Sequence, residues 1–274
     1  MKRKLIALDL DGTTLNGKTQ ITQKTKEVLN KAQQAGHVVS IVTGRPNRMA
    51  VGYYDELKLK GPMINFNGAL GYIPHKQWEH EYQTTFSKNI AFDILEAKQR
   101  LGIKVVSAEG KTMALSDVPN TLIDGFFPAA LHKDQVLNRT NLKHDPAAMT
   151  MLVDQNSKAD IVKKLEKAFG SKINVGVWGG PNPILELSPK GISKAHGVEF
   201  LAKTYKIDRK DIIAFGDEHN DAEMIDYAGL GVVMKNGTDK LKRIADDVTE
   251  FDNDHDGVAN LSLIHISEPT RHLR

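Results

Sequence analysis

The stretch KLIALDLDGTTLN (4–16) decides how the rest of the chain is read. It opens as a short apolar run of strand length and ends in two aspartates, Asp9 and Asp11, followed by Gly12. Outward from it, residues 23–35 carry Val28, Leu29 and Ala32 at helical spacing, with Thr22 placed to cap the start and Gly36 to stop the helix. VVSIVTG (38–44) is a second apolar, β-branched run, residues 47–59 read as a helix, and PMINFNG (62–68) is a third strand-like run. Apolar strands separated by helices imply parallel strands covered on both faces.

The same grammar returns near the end. Residues 193–205 read as a helix, DIIAFGD (211–217) as a buried strand and NDAEMIDYAG (220–229) as a helix, followed by the strand LGVVM (230–234). LKRIADDVTE (241–250) reads as a helix running into a short strand. Between them, helical stretches (87–100, 157–169) mix with extended ones (103–107, 148–153, 173–178) and turn residues such as Gly110, Pro119, Pro146 and Gly179-Gly180. The expected architecture is α/β: a Rossmann-like parallel sheet core with helices on both faces (1–83 and 187–260), interrupted by an inserted α+β cap (84–186). The segment LSLIHISEPTR (261–271) resembles the translation of a transposon-type sequencing-library adapter, so 261–274 is set aside as a non-native tail.

A chain of 274 residues is ample for one large domain or two coupled ones. A net charge of +3, with Lys and Arg scattered, gives no reason to propose nucleic acid or membrane as a partner, while suiting a small anionic substrate. The absence of cysteine excludes disulfides, thiol catalysis and Cys-ligated metal. The opening apolar run contains Asp9 and Asp11, and no other apolar stretch approaches membrane length, so a cytoplasmic protein is expected. Oligomeric state is not readable.

Four polar clusters each follow an apolar run. In an open parallel sheet, ligands bind beyond the carboxyl ends of the strands. Residues two apart on an extended chain point the same way, so Asp9 and Asp11 are both expected to face that crevice. One carboxylate can attack phosphorus; the other can protonate a leaving oxygen and later activate water. Half of a cation-binding loop or a helix cap is the plainer alternative. Thr43-Gly44-Arg45 offers a hydroxyl and an approachable amide for phosphate oxygens, though Thr-Gly after a strand is commonly just a turn. Lys194, at the start of a predicted helix, can neutralise a phosphate and a carboxylate together; Lys190 competes for that role. Asp217, in GDEHND (216–221), supplies a third carboxylate, and magnesium accepts such oxygen donors. Asn220 and Asp221 open the next helix and could simply cap it.

DLDGTTLN, IVTGR, KGISK and FGDEHND resemble the four ordered motifs of haloacid-dehalogenase-like hydrolases. NFNGA (65–69), ADDVTE (245–250) and DNDHDGVA (252–259) resemble the Cof-type sugar-phosphatase branch, subfamily IIB, over roughly residues 3–260. The resemblance implies a Mg2+-dependent phosphatase of small phosphorylated metabolites, with sugar phosphates foremost. It implies Asp9 as nucleophile, Asp11 as general acid/base and Lys194 as the stabilising lysine. Thr43 and Gly44, with Arg45, Asn67 and Asn220, would bind phosphate or substrate. Asp9, the Asp11 carbonyl and Asp217 would hold the metal, with Asp221 supporting the metal or the lysine. Thr14 before Leu15, and Lys235, depart from the family pattern.

Three other readings stay open at this point. A phospho-acceptor signalling domain would lack Asp11 and be about half as long. A phosphomutase would return an isomerised phosphosugar without free phosphate. A phosphatase for pyridoxal phosphate or flavin mononucleotide shares the same active-site motifs. Trp178 could touch the leaving group or be an ordinary core or surface aromatic.

Overall fold

Four successive buried apolar residues make β1 (Leu5–Leu8) a strand that must be covered on both faces. The computed structural model describes residues 2–121, 123, 126–178 and 182–261. It divides into two compact units, one of Met1–Tyr82 with the chain from Ser193 onward, the other of Gln83–Ile192.

In the first unit, β1 leads to α1 (Gln23–Gln34), β2 (Val38–Ile41), α2 (Asn47–Glu56), β3 (Met63–Asn65) and β4 (Leu70–Tyr72); β5 (Tyr82–Gln83) straddles the division between the units. The Thr22 side chain accepts from the Thr25 amide, as the spacing predicts, and α1 buries Thr25, Val28, Leu29 and Ala32.

The second unit carries α3 (Lys88–Leu101), β6 (Ile103–Gly110), β7 (Met113–Ser116), β8 (Ala148–Val153), α4 (Lys158–Phe169), β9 (Ile173–Val177) and β10 (Ile184–Pro189). Its sheet, β7-β6-β8-β10-β9, is antiparallel throughout. One face is apolar: Val106, Ala108, Met149, Met151, Leu185 and Leu187 form a core with Ile90 and Ile94 of α3 and Ile161 and Leu165 of α4.

The chain returns to the first unit with α5 (Lys194–Tyr205), β11 (Ile212–Gly216), α6 (Ala222–Tyr227), β12 (Leu230–Val233), α7 (Asp239–Lys242) and β13 (Asp247–Val248). The sheet β13-β12-β11-β1-β2 is parallel throughout, flanked by helices as expected. Leu5, Ala7, Val38, Ile212 and Ala214 share a core with Val198 and Leu201 of α5 and Met224 and Ile225 of α6. β1 lies between β2 and β11, and the chain leaves its two sides in opposite directions. That makes the carboxyl end of β1 a topological switch point, where open α/β sheets bind ligands.

Three elements differ from the sequence reading. The run 62–68 stops at Asn65, because Phe66 and Asn67 both take positive φ (52° and 51°) in a tight turn. The helix expected over 220–229 is Ala222–Tyr227, preceded by the short turn His219–Asp221. The helix expected from 241 is the single turn Asp239–Lys242; beyond it, the Asp246 carboxylate accepts the Gly231 amide (2.8 Å) and holds the chain against the sheet. Among the described residues no helix is long and apolar enough to cross a membrane. Of the tail set aside at 261–274, only Leu261 falls within the described residues; it is buried.

Candidate active site

Asp9 is the first residue beyond β1, and its amide still pairs with β11 through the Phe215 carbonyl (3.1 Å). Extended backbone (φ −67°, ψ 162°) sends its buried side chain past the strand ends. The chain then closes a loop over Leu10–Thr14. The Leu15 amide donates to the Leu10 carbonyl (2.8 Å), and the Thr14 hydroxyl donates to the Asp9 carbonyl (2.6 Å). Gly12 turns the loop at φ +70°, and a Cβ there would collide with the Asp217 carboxylate. The Thr13 hydroxyl donates to Asp217 Oδ1 at 2.8 Å, so the loop after β1 and the turn after β11 are joined.

Lys194, the first residue of α5, is 1 % accessible. A buried ammonium needs full pairing. Its Nζ lies 2.7 Å from Asp9 Oδ1 and 2.6 Å from Asp221 Oδ1. The other Asp221 oxygen accepts the amides of Asp217 (3.0 Å) and Glu218 (3.1 Å). Lys190, the sequence competitor, is exposed.

Carboxylate oxygens of Asp9, Asp217 and Asp221 all lie within 4.8 Å of one another. Three carboxylates then face one ammonium. Burial pushes the Asp9 carboxyl well above its usual range; Lys194 opposes this while Asp221 and Asp217 add to it. Burial, then the charge of Asp221, pushes Asp217 up to about 7. Burial alone would lower Lys194, but Asp221 and Asp9 outweigh it and raise it. The excess of negative charge and the all-oxygen donor set fit a hard divalent cation. Both Asp221 oxygens are already engaged, which leaves Asp9 and Asp217 as the carboxylates with capacity for it.

The neighbouring strand end carries the second group. The Val42 amide donates to the Leu8 carbonyl (2.8 Å), which sets buried Thr43 beside Asp9 in the sheet order. The Asn67 amide donates to the Thr43 carbonyl (3.1 Å), and Asn220 Nδ2 donates to Asn67 Oδ1 (3.1 Å). A Cβ on Gly44 would stand 3.1 Å from the Asn67 side-chain amide. Thr43, Gly44, Asn67 and Asn220 are thus gathered beside the acidic cluster, with Asn220 adjoining Asp221.

Asp11 and Arg45 stand apart from the expectation. The strand ends at Leu8, so the period of two does not carry Asp9 and Asp11 to one side. Asp9 is buried, whereas the Asp11 side chain is 52 % accessible and turns to Arg45. The guanidinium forks on it (Nε–Oδ2 2.7 Å, Nη2–Oδ1 2.5 Å) and lies over the Tyr53 ring, 5.3 Å from its centroid. Among the described residues, the third carboxylate of the acidic cluster is Asp221 and not Asp11.

Sequence reasoning gave no role to Thr13, nor to the strap that holds the loop. Asn236 Nδ2 donates to the Gly12 carbonyl (2.7 Å), the Asn253 amide donates to Asn236 Oδ1 (3.1 Å), and Asp254 Oδ1 accepts the Gly17 amide (2.7 Å). DNDHDG (252–257) carries the side chains that form such turns, but Gly17, which Asp254 holds, lies 237 residues away.

Residues 6–261 match the family model for haloacid dehalogenase-like hydrolase. The 5-amino-6-(5-phospho-D-ribitylamino)uracil phosphatase YitU of Bacillus subtilis (strain 168) is 33% identical over 263 residues, spanning 94% of this chain and 96% of that one. The crystal structure of a haloacid dehalogenase-like hydrolase from Bacteroides thetaiotaomicron superposes with a TM-score of 0.82 at 27% identity, covering 96% of this chain and all of that one. A subclass IIB sugar phosphatase shares the fold, with a TM-score of 0.78 at 20% identity, covering 96% of this chain and 99% of that one.

Proposed function

The chain belongs to the haloacid dehalogenase-like hydrolases and is a phosphatase, and from that premise we propose that it hydrolyses small phosphorylated metabolites, sugar phosphates foremost, through an aspartyl-phosphate on Asp9. The observation that carries this reading is the buried Lys194 ammonium, paired to Asp9 and Asp221 beside Asp217 at the carboxyl ends of parallel strands.

An Asp9 carboxylate oxygen attacks phosphorus as the ester oxygen departs. The Asp11 carboxyl gives that oxygen its proton, and the alcohol leaves. Asp11, now a carboxylate, takes a proton from water; that water attacks the phosphorus, breaking the acyl phosphate and restoring Asp9. Lys194 holds Asp9 in place and offsets charge on the phosphoryl group. The Thr43 hydroxyl, the Gly44 amide, Asn67 and Asn220 hold its oxygens, and Arg45 serves the same group once released from Asp11. Mg2+, held by Asp9, the Asp11 carbonyl and Asp217 with Asp221 in support, would lower the repulsion between nucleophile and phosphate. Residues 84–186 act as the cap that selects the substrate's organic part.

A phosphorylated cofactor precursor is the second reading, favoured by the 33% identity to an enzyme named for 5-amino-6-(5-phospho-D-ribitylamino)uracil. The test is phosphate release from a panel containing that compound, sugar phosphates, pyridoxal phosphate and flavin mononucleotide. Activity should stop with EDTA and return with magnesium. Asp9→Asn should abolish release while keeping the melting temperature at or above that of the parent. Turnover by Asp9→Asn rejects the covalent route, and an isomerised phosphosugar without free phosphate would instead identify a mutase.

A further inference from the structure

Three consecutive residues of the first unit, Phe66, Asn67 and Gly68, take positive φ (52°, 51° and 105°). Glycine tolerates this region, but for a bulky residue such as the buried Phe66 it is an outlier. Such strain persists only where the surroundings over-determine it, and it gathers at functional sites. Here the turn is clamped to the loop 43–45. The Thr43 amide donates to the Ile64 carbonyl (3.0 Å), the Asn67 amide to the Thr43 carbonyl (3.1 Å) and the Phe66 amide to the Arg45 carbonyl (3.4 Å).

Asn65, the last residue of β3, closes the clamp. It is inaccessible, and its Nδ2 donates to the Arg45 carbonyl at 2.9 Å. Its Oδ1 is buried without a hydrogen-bond partner. A buried acceptor left unpaired opposes folding, and valine would suit a buried strand end better. Folding alone therefore gives no reason for an amide side chain here. What it does is fix Arg45. The Arg45 amide donates to Thr43 Oγ1 (3.1 Å), so both main-chain polar groups of Arg45 are tied, and Pro46 restricts its backbone further. Only the side chain is left to swing. Its guanidinium, resting on Asp11, starts from a set point beside the Thr43 hydroxyl, which keeps its own proton to donate.

We propose that Asn65 is a positioning residue: through the Arg45 main chain it aims the Arg45 guanidinium at the phosphoryl group. This rests on the phosphatase reading and on the place of Arg45 in it. Asn65 itself touches no substrate.

The test measures inorganic phosphate binding by calorimetry, with magnesium present, for the full-length parent, Asn65→Val, Arg45→Gln and the double variant. Asn65→Val should unfold as cooperatively as the parent and weaken phosphate about tenfold, on the scale of one hydrogen bond to a charged group. Arg45→Gln should weaken it at least as much. In the double variant the affinity should stay within about twofold of that of Arg45→Gln, because residues acting through one group do not add. A side chain that only stabilises the fold would weaken binding by the same factor in both backgrounds, and that result overturns the proposal. So does an unchanged phosphate affinity in Asn65→Val. Should Asn65→Val not fold, Asn65→Ala is compared in the same two backgrounds. Turnover separates this from the reading it rests on: a parent that binds phosphate yet releases it from no ester is not a phosphatase, and the binding constants still decide Asn65. In an active parent the effect of Asn65→Val should appear as a raised KM for p-nitrophenyl phosphate, and a loss confined to kcat overturns the proposal.

Discussion

Asp11 shows how one residue's neighbours set its part in the chemistry. Its carboxylate is half exposed and gripped by the Arg45 fork, while Asp9, two residues before it, is buried against Lys194. An exposed carboxyl held at the rim can exchange protons with water; a buried one paired to an ammonium is held as a nucleophile. Asp11→Asn is therefore expected to cost about 10²–10⁴-fold on sugar phosphates, whose alkoxide needs a proton, and far less on p-nitrophenyl phosphate. Steady-state kinetics on both esters checks this, and an equal loss on the two removes Asp11 from proton transfer. Residue identity alone left Lys190 and Lys194 competing. Burial separates them, because only Lys194 lies where two carboxylates from distant segments converge.

At the scale of elements, the loop Leu10–Thr14 is the hinge of the site. Gly12 has positive φ and no room for a Cβ against Asp217, and Asn236 holds its carbonyl. Gly12→Ala is expected to lower stability by about 1–3 kcal/mol from backbone strain and to weaken magnesium affinity by displacing Asp217. Calorimetric titration with magnesium beside thermal unfolding checks both; a variant that binds magnesium as the parent does would disconnect the loop from the metal site. This turn was legible as Asp-Gly after an apolar run. The shortened α7 was not, because the helical pattern of 241–250 does not reveal that Asp246 bonds Gly231 instead of water.

Over the whole molecule, the acidic cluster couples proton, cation and fold. Asp217 keeps its proton up to about 7 in the folded chain, against an ordinary 3.8 when unfolded. Between those values the folded state binds more protons, so this group's contribution to stability falls as pH rises through that window. A divalent cation replaces the proton, so the magnesium-induced rise in melting temperature should be larger at pH 8 than at pH 5.5. Equal rises at the two pH values would place the cation away from Asp217. The amino-acid sequence by itself determined the order of strands and helices, the parallel sheet and the polar residues at its strand ends, because periodicity and turn chemistry act over a few residues. Tertiary structure alone decided where the side chains go: Asp11 to Arg45, Asp221 to Lys194, and Asn65 to the Arg45 carbonyl. Those destinations depend on pairing between segments tens to hundreds of residues apart, which local preference does not encode.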